Sequence, residues 1–360
     1  MAIHQSLPLD LKSNTLISQL QQDIINNFQR GLPLCEKPYQ MMAEKLSTAE
    51  HSYIEVQIFE AIQGLDELNI ISRIGPVFDH KKAGASTLAA IAVPEEELDK
   101  VAGIVNQFEQ VNHNYGREHD YNLWFVVTAS DPVALNNTIT RIEALTGYSV
   151  LVLPMEASYH IDLAFSINIT DQQSALRNSN HLDTEQAIAT QTGVEKLSET
   201  QKSQLRNGIE KGLPKVLTPY AVLAEQINAT EQQVHQQIAL WLDEGLIRRF
   251  GLVIKHRSLG FDANAMVVWN VPNEDMDSIA NRLAKCPEVS LCYQRPRREG
   301  WPYNLFCMIH GRDRDVVLKQ IKQIRASLAL THIEHDVLFS FKAYKQNGAK
   351  YGRSKGRAHG

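Results

Sequence analysis

Residues 219–254, PYAVLAEQINATEQQVHQQIALWLDEGLIRRFGLVI, decide how the chain is read. Pro219 to Ile227 reads as a short helix. Asn228 and Thr230 supply turn and N-cap chemistry, because a short polar side chain accepts a hydrogen bond from a free helical N–H. From Glu231 to Glu244, Val234, Ile238, Trp241 and Leu242 recur at helical spacing, and Gly245 ends the helix. Leu246 to Ile254 then alternates like a strand. Helix, turn, helix and β-wing in that order predict a winged helix.

The pattern occurs twice. Gly31-Leu32-Pro33 returns as Gly212-Leu213-Pro214, and Pro38-Tyr39 as Pro219-Tyr220. Leu65-Asp66-Glu67 returns as Leu242-Asp243-Glu244, Arg73/Gly75 as Arg249/Gly251, and Pro94 as Pro272. Val111–Tyr115 matches Val289–Tyr293, and Tyr121-Asn122-Leu123 matches Tyr303-Asn304-Leu305. An ordered series at an offset near 180 residues is the mark of a tandem duplication.

Beyond each winged helix the order is β-α-β-β-α-β. In the first copy strands fall near 87–93, 110–117, 121–129 and 149–154, with helices near 95–109 and 132–146. In the second, strands fall near 263–271, 288–295, 302–310 and 332–340, with helices near 273–285 and 312–328. This is the ferredoxin-like order. The fold class is therefore α+β: a duplicated winged helix plus ferredoxin-like module. The divisions are winged helix 15–80, α/β module 81–168, linker 169–200, winged helix 201–258, α/β module 259–345 and a basic tail 346–360. Leu123 to Val127 is apolar on both faces, so one face needs helices and the other a partner sheet, which the second module supplies internally.

Composition bounds the setting. Apolar residues make up 43% and charged residues 21%, ordinary for a globular protein. No apolar run approaches the roughly 18 residues of a membrane span, and Met1 to Asn14 lacks the pattern of a signal peptide. The expected location is the cytoplasm, with no membrane partner. Cys35, Cys286, Cys292 and Cys307 form no C-x-x-C pair, which argues against zinc-ribbon and thioredoxin-like sites.

A winged helix followed by this α/β module is the layout of the leucine-responsive (Lrp/AsnC) transcription regulators. DNA recognition needs basic groups on the second helix. Residues 50–69 carry Glu50, Glu55, Glu60, Asp66 and Glu67, and residues 229–244 carry Glu231, Asp243 and Glu244, neither with a Lys or Arg. Arg248, Arg249, Lys255, His256 and Arg257 on the wing are the remaining argument for DNA. With a net charge of −5, DNA is not the expected partner.

Two equivalent segments carry chemistry. VNHNYGREHDYNLWF (111–125) presents His113, Tyr115, Arg117, His119 and Tyr121. CYQRPRREGWPYNLF (292–306) presents Tyr293, Arg295, Arg297, Arg298, Trp301 and Tyr303. Guanidinium groups clamp carboxylates and aromatic rings stack on planar faces, so a flat anionic ligand fits both. Taken alone, an arginine cluster is usually a solvated turn. The second copy holds Leu291 and Trp301 where the first holds His113 and His119, so the two copies are expected to be unequal.

The arrangements H-N-Y-x-R-x-H-x-Y-N-L-W-F and C-Y-x-R-P-x-x-x-x-W-P-Y-N-L resemble the siroheme decarboxylases, in particular their fused form, across roughly residues 15–345. The resemblance implies removal of two acetate carboxyl groups from siroheme to give didecarboxysiroheme, a carbon–carbon lyase reaction on the route to heme d1, with heme b as the other route. It implies siroheme as the partner, and no cofactor beyond the iron inside the substrate. It also implies either a homo-oligomer or a complex with further subunits of that pathway. His119, then His113, is the implied proton donor, with axial ligation of the substrate iron as the other role for either. Arg117, Arg295, Arg297 and Arg298 would anchor carboxylates, and Tyr115, Tyr121, Tyr293, Trp301 and Tyr303 would contact the macrocycle. The alternatives are a ligand-sensing regulator and a heme carrier.

Overall fold

The computed structural model describes residues 17–161 and 195–347. Most of the linker 169–200 and nearly all of the tail 346–360 lie outside the described residues. In chain order the first copy runs α1 (Gln19–Phe28), α2 (Pro38–Leu46), α3 (Glu55–Glu67), β1 (Ile71–Phe78), the single turn α4 (His80–Ala83), β2 (Ala85–Ile91), α5 (Leu98–Asn106), β3 (Val111–Arg117), β4 (Leu123–Ala129), α6 (Pro132–Thr146), β5 (Leu151–Pro154) and β6 (Ala157–Ile161). The second runs α7 (Glu199–Glu210), α8 (Pro219–Gln226), α9 (Glu231–Asp243), β7 (Ile247–Ile254), β8 (Ala263–Trp269), α10 (Met276–Ala284), β9 (Val289–Gln294), β10 (Leu305–Gly311), α11 (Arg314–Ser327) and β11 (His335–Gln346).

Local chemistry sets the helix ends. Thr230 and Gln233 form a capping box at the start of α9, as Ser18/Gln21 and Ser198/Gln201 do for α1 and α7. Gly245, at φ +68°, closes the turn after α9 in the left-handed region that favours glycine.

The wings differ from the sequence expectation. Each copy has one wing strand, and β1 pairs antiparallel with β7 of the other copy, Gly75 opposite Gly251. A lone strand leaves its backbone groups without ladder partners, and the equivalent strand pairs with one edge of it. The Gly-Leu-Pro repeats dock onto this ribbon: Leu32 N–H donates to Phe250 O, and Leu213 N–H to Ile74 O. The helices of both copies therefore share one core, with Ile25, Phe28, Tyr39 and Ile58 packed in the same cluster as Leu205, Tyr220, Ile238 and Phe250.

Gly251 permits this contact. A Cβ there would lie 2.5 Å from Phe28 O and 2.6 Å from Gln29 O, both backbone atoms that cannot swing away. Gly251→Ala is expected to cost about 1–3 kcal/mol. Gly103→Ala, on an α5 face with open space, should gain up to about 1 kcal/mol. Urea denaturation of both variants tests the pair; equal midpoints would show that the docking is loose.

Each α/β module has the strand order four-one-three-two: β5-β2-β4-β3 and β11-β8-β10-β9. Each module also sends a strand across to the other. β11 pairs with β8 through His335–Phe339 and with β3 through Ser340–Gln346. On the other side β6, following β5, pairs with β9. All nine strands thus form one continuous sheet. Equivalent tyrosines pin the crossings, Tyr344 on Asp99 at 2.6 Å and Tyr159 on Asp277 at 2.5 Å. The helices cover the outer faces. Between the modules lies an inner core in which Ala90, Trp124, Leu151 and Leu153 meet Met266, Val268, Phe306 and Leu338. The partner sheet required by the two-faced strand is therefore the second module.

Candidate functional site

The Tyr-Asn-Leu repeats have a backbone task. Asn122 accepts from Val93 N–H at 3.0 Å and donates to Val93 O at 2.8 Å. Asn304 does the same with Val271, at 2.8 and 2.9 Å. Each asparagine ties the third strand to the end of the first and so fixes the turn that precedes it.

The arginines divide into inward and outward groups. Arg117 and Arg295 are equivalent, buried, and cross the module boundary. Arg117 donates to Leu338 O at 2.9 Å, and Arg295 to Leu153 O at 2.5 Å, each on the other module's fourth strand. Their guanidinium groups lie over Tyr115 at 5.7 Å and Tyr293 at 5.5 Å. Burial lowers Arg295 to about 10, which leaves it charged at neutral pH. Burial likewise raises the Tyr293 hydroxyl to about 12, against the pull of Arg295 and Arg248. Arg297 donates to Asn270, Asn273, Val271 O and Pro302 O within its own module. The four arginines expected to anchor substrate carboxylates all have protein partners here, and strand alternation turns Arg117 and Arg295 into the inner core. Arg298 is the exposed one, donating to Val152 O at 3.2 Å.

The second turn is longer, since the repeat offset grows from 178 at Tyr115/Tyr293 to 182 at Tyr121/Tyr303. Arg298 and Trp301 close it through reciprocal backbone bonds of 3.0 and 2.9 Å, around Gly300 at φ +70°. The extra length carries Trp301 into the first copy. Its buried ring lies 5.3 Å from His119, 5.8 Å from Tyr121, 5.2 Å from Trp124 and 5.0 Å from Tyr303. Its Nε1 has no hydrogen-bond partner among the described residues.

His119 sits at the rim of this aromatic group with 17% of its side chain exposed. Its Nδ1 accepts the Tyr121 N–H at 2.9 Å, which leaves Nε2 as the protonated nitrogen of the neutral ring. Asp336 Oδ2 lies 3.6 Å from that Nε2. The nearby Tyr303 hydroxyl is raised, first by burial and then by Asp336 and Glu334. Asp336 was missing from the sequence reading; what marked it was a carboxylate breaking the apolar pattern of a fourth strand.

His113 lies elsewhere, on the inner face of β3 beside Tyr115 at 6.1 Å. Its Nδ1 is buried without a partner among the described residues. Burial, and then Arg73 of β1, push its pKa from 6.5 to about 4. It is uncharged at neutral pH, so its lone pair is available and it has no second proton to give. The structure thus does not bring the two histidines together. The depression lined by Cys35, Lys37 and Glu44, about 350 Å³, belongs to the first helical unit and contains none of these residues. No group of three or more metal-ligating side chains occurs among the described residues.

The depressed pKa has a consequence for stability. Below pH 6.5 the unfolded state takes up a proton that folded His113 resists down to about pH 4. This contribution is therefore present above pH 6.5 and is lost as pH falls through that window. His235, also lowered to about 4 by burial, acts in the same sense. His113→Leu should flatten the fall in urea midpoint between pH 7 and pH 5. An unchanged slope would assign the acid sensitivity to other groups.

The helix-turn-helix surfaces offer little to DNA. The wing cations have protein partners: Arg248 pairs with Asp79 at 2.6 Å, Arg249 donates to Leu252 O, and Lys255 to Asn69. The side chains of His256 and Arg257 lie outside the described set. No helix among the described residues is long and apolar enough to cross a membrane.

Residues 82–160 and 258–345 match the AsnC-like ligand binding domain, and residues 204–248 the siroheme decarboxylase NirDL-like HTH domain. A siroheme decarboxylase NirDL subunit of Paracoccus denitrificans (strain Pd 1222) is 36% identical over 334 residues, 92% of this chain and 97% of its own. The chain belongs to the siroheme decarboxylase family. A siroheme decarboxylase NirL subunit of Stutzerimonas stutzeri is 51% identical over 156 residues, 43% of this chain and 92% of its own. In this family, then, a single copy of the duplicated unit also occurs as a subunit. The crystal structure of the siroheme decarboxylase NirDL in co-complex with an iron-uroporphyrin III analogue matches with TM-score 0.63 at 24% identity, over 92% of this chain and 93% of that one. It shares the fold. This member of the siroheme decarboxylase family is an enzyme built on a regulator-like scaffold.

Proposed function

We propose that the chain removes carboxyl groups from the acetate side chains of siroheme, as a carbon–carbon lyase acting twice to give didecarboxysiroheme. The observation that carries the reading is the inter-module site: a solvent-reachable imidazole of fixed tautomer, set among aromatic rings of both copies, in a chain of this family. Loss of carbon dioxide leaves an electron pair on a carbon attached to the conjugated ring, which the macrocycle delocalises. The protein has to hold the acetate and deliver one proton. His119 is the proton donor in this reading. His113, neutral and buried, suits ligation of the substrate iron. Tyr121, Tyr303 and Trp301 would meet the macrocycle, and exposed Arg298 is the carboxylate anchor of first choice. Tyr115 and Tyr293, under Arg117 and Arg295, would shape the wall behind them. The reading needs no cofactor of the protein's own, since the iron arrives in the substrate. The half-length relatives support an assembly in which two copies of the module are required together, which this chain supplies in one polypeptide.

Anaerobic incubation of the purified chain with siroheme, followed by mass spectrometry of the tetrapyrrole, tests this directly. Loss of two carbon dioxide units is the expected result. Siroheme that binds, by its spectrum, yet stays intact would replace the enzyme reading with a carrier.

A further inference from the structure

The rim of the inner core sets a carboxylate of the second copy against His119 of the first. Asp336 is fixed at the start of β11, where its Oδ1 accepts the Val337 N–H at 2.6 Å. Its other oxygen, Oδ2, lies 3.6 Å from His119 Nε2. That nitrogen is the one bearing the proton, because Tyr121 N–H occupies Nδ1. Trp301 edge-on at 5.3 Å and Tyr121 alongside at 6.2 Å hold the ring in this orientation.

The duplication supplies an internal comparison. Leu151 pairs with Ala90 in the first module as Asp336 pairs with Val268 in the second, so Leu151 is the counterpart of Asp336. Leu151 is buried in the inner core. The counterpart of His119 is Trp301. The imidazole and the carboxylate therefore occur together at one of the two related sites, and both are replaced by apolar side chains at the other. A surface aspartate serving solubility has no reason to follow the imidazole in this way.

We propose that Asp336 is the positioning residue of His119, holding the ring in place through its Nε2–H across the module boundary. The chemistry of this role rests on the decarboxylation reading, whereas its geometry does not. In the step itself the bond between methylene and carboxylate carbon breaks and carbon dioxide leaves. The electron pair returns through the macrocycle to the methylene carbon, which takes a proton from the imidazolium form of His119 and becomes a methyl group, leaving the neutral ring. Solvent then reprotonates His119 at its exposed edge. The site of the first module is thus incomplete without the fourth strand of the second.

The test uses the full chain with Asp336→Asn, Asp336→Leu and Asp336→Glu. The first two should lower kcat on siroheme about 10-fold or more with KM unchanged, and the glutamate should restore most of the rate. In a double-mutant cycle, His119→Ala/Asp336→Asn should be no slower than His119→Ala alone. Additive losses, or a wild-type rate in Asp336→Leu, would overturn the proposal while leaving decarboxylation intact. A substrate-free readout separates the two readings: the ¹H–¹⁵N signal of the His119 Nε2–H should be visible in the wild type and in Asp336→Glu, and exchange-broadened in Asp336→Leu. An identical signal in all three overturns the pairing, whether or not siroheme is turned over.

Discussion

His119→Ala should reduce siroheme decarboxylation about 100-fold or more while leaving siroheme bound. The expectation follows from how the ring is placed. It touches solvent, so it can be recharged after each turnover, and its tautomer is fixed by the Tyr121 N–H. Alanine removes the proposed proton donor without opening the inner core, because the ring lies at the rim. Two decarboxylations draw on the same donor, so the singly decarboxylated intermediate should be slow to advance as well. His113→Ala should behave differently. In the proposed reading this neutral, buried imidazole serves the iron and not the proton, so its loss should move the absorption spectrum of the bound siroheme. Single-turnover kinetics and spectra of both variants decide the assignment. A His119→Ala enzyme that turns over at the wild-type rate would remove His119 from the chemistry.

Trp301→Ala should be among the most destabilising single substitutions in the chain, by about 3–5 kcal/mol. The ring is 1% exposed and contributes to the core shared by both α/β modules. Removing it leaves a cavity lined by Trp124, Tyr303 and Phe306 that their rigid rings cannot close. It also frees His119 on one side, so kcat should fall together with stability. Trp301→Phe keeps most of the volume and should cost much less. Denaturant unfolding followed through a probe in each copy provides the check. If Trp301→Ala unfolds at the wild-type midpoint, the inner core does not depend on this contact.

Much of the fold was legible because it is written locally and written twice. Asn228 and Thr230 announced the start of α9, and the apolar spacing of Val234, Ile238 and Trp241 marked its face. The equivalence of Val111–Tyr115 and Val289–Tyr293 located matching strands, and both form at those positions. The segments that carry His119 and Trp301 could be singled out from the same repeat. Their roles could not, because an arginine in an alternating strand shows the same pattern whether it points at a ligand or at a carbonyl of another strand. Arg117 and Arg295 point at carbonyls.

The sequence by itself determined the duplication, the helix and strand order, the capping chemistry, and the loss of both histidines from the second copy. These depend on neighbours a few residues apart, which the chain states directly. The tertiary structure alone decided that β1 pairs with β7, that a strand from each module crosses to the other, and that Asp336 and Trp301 meet His119. Those contacts join residues 130 or more positions apart. They are chosen by which unpaired strand edges and apolar faces can satisfy one another, a competition among distant segments that no local pattern records.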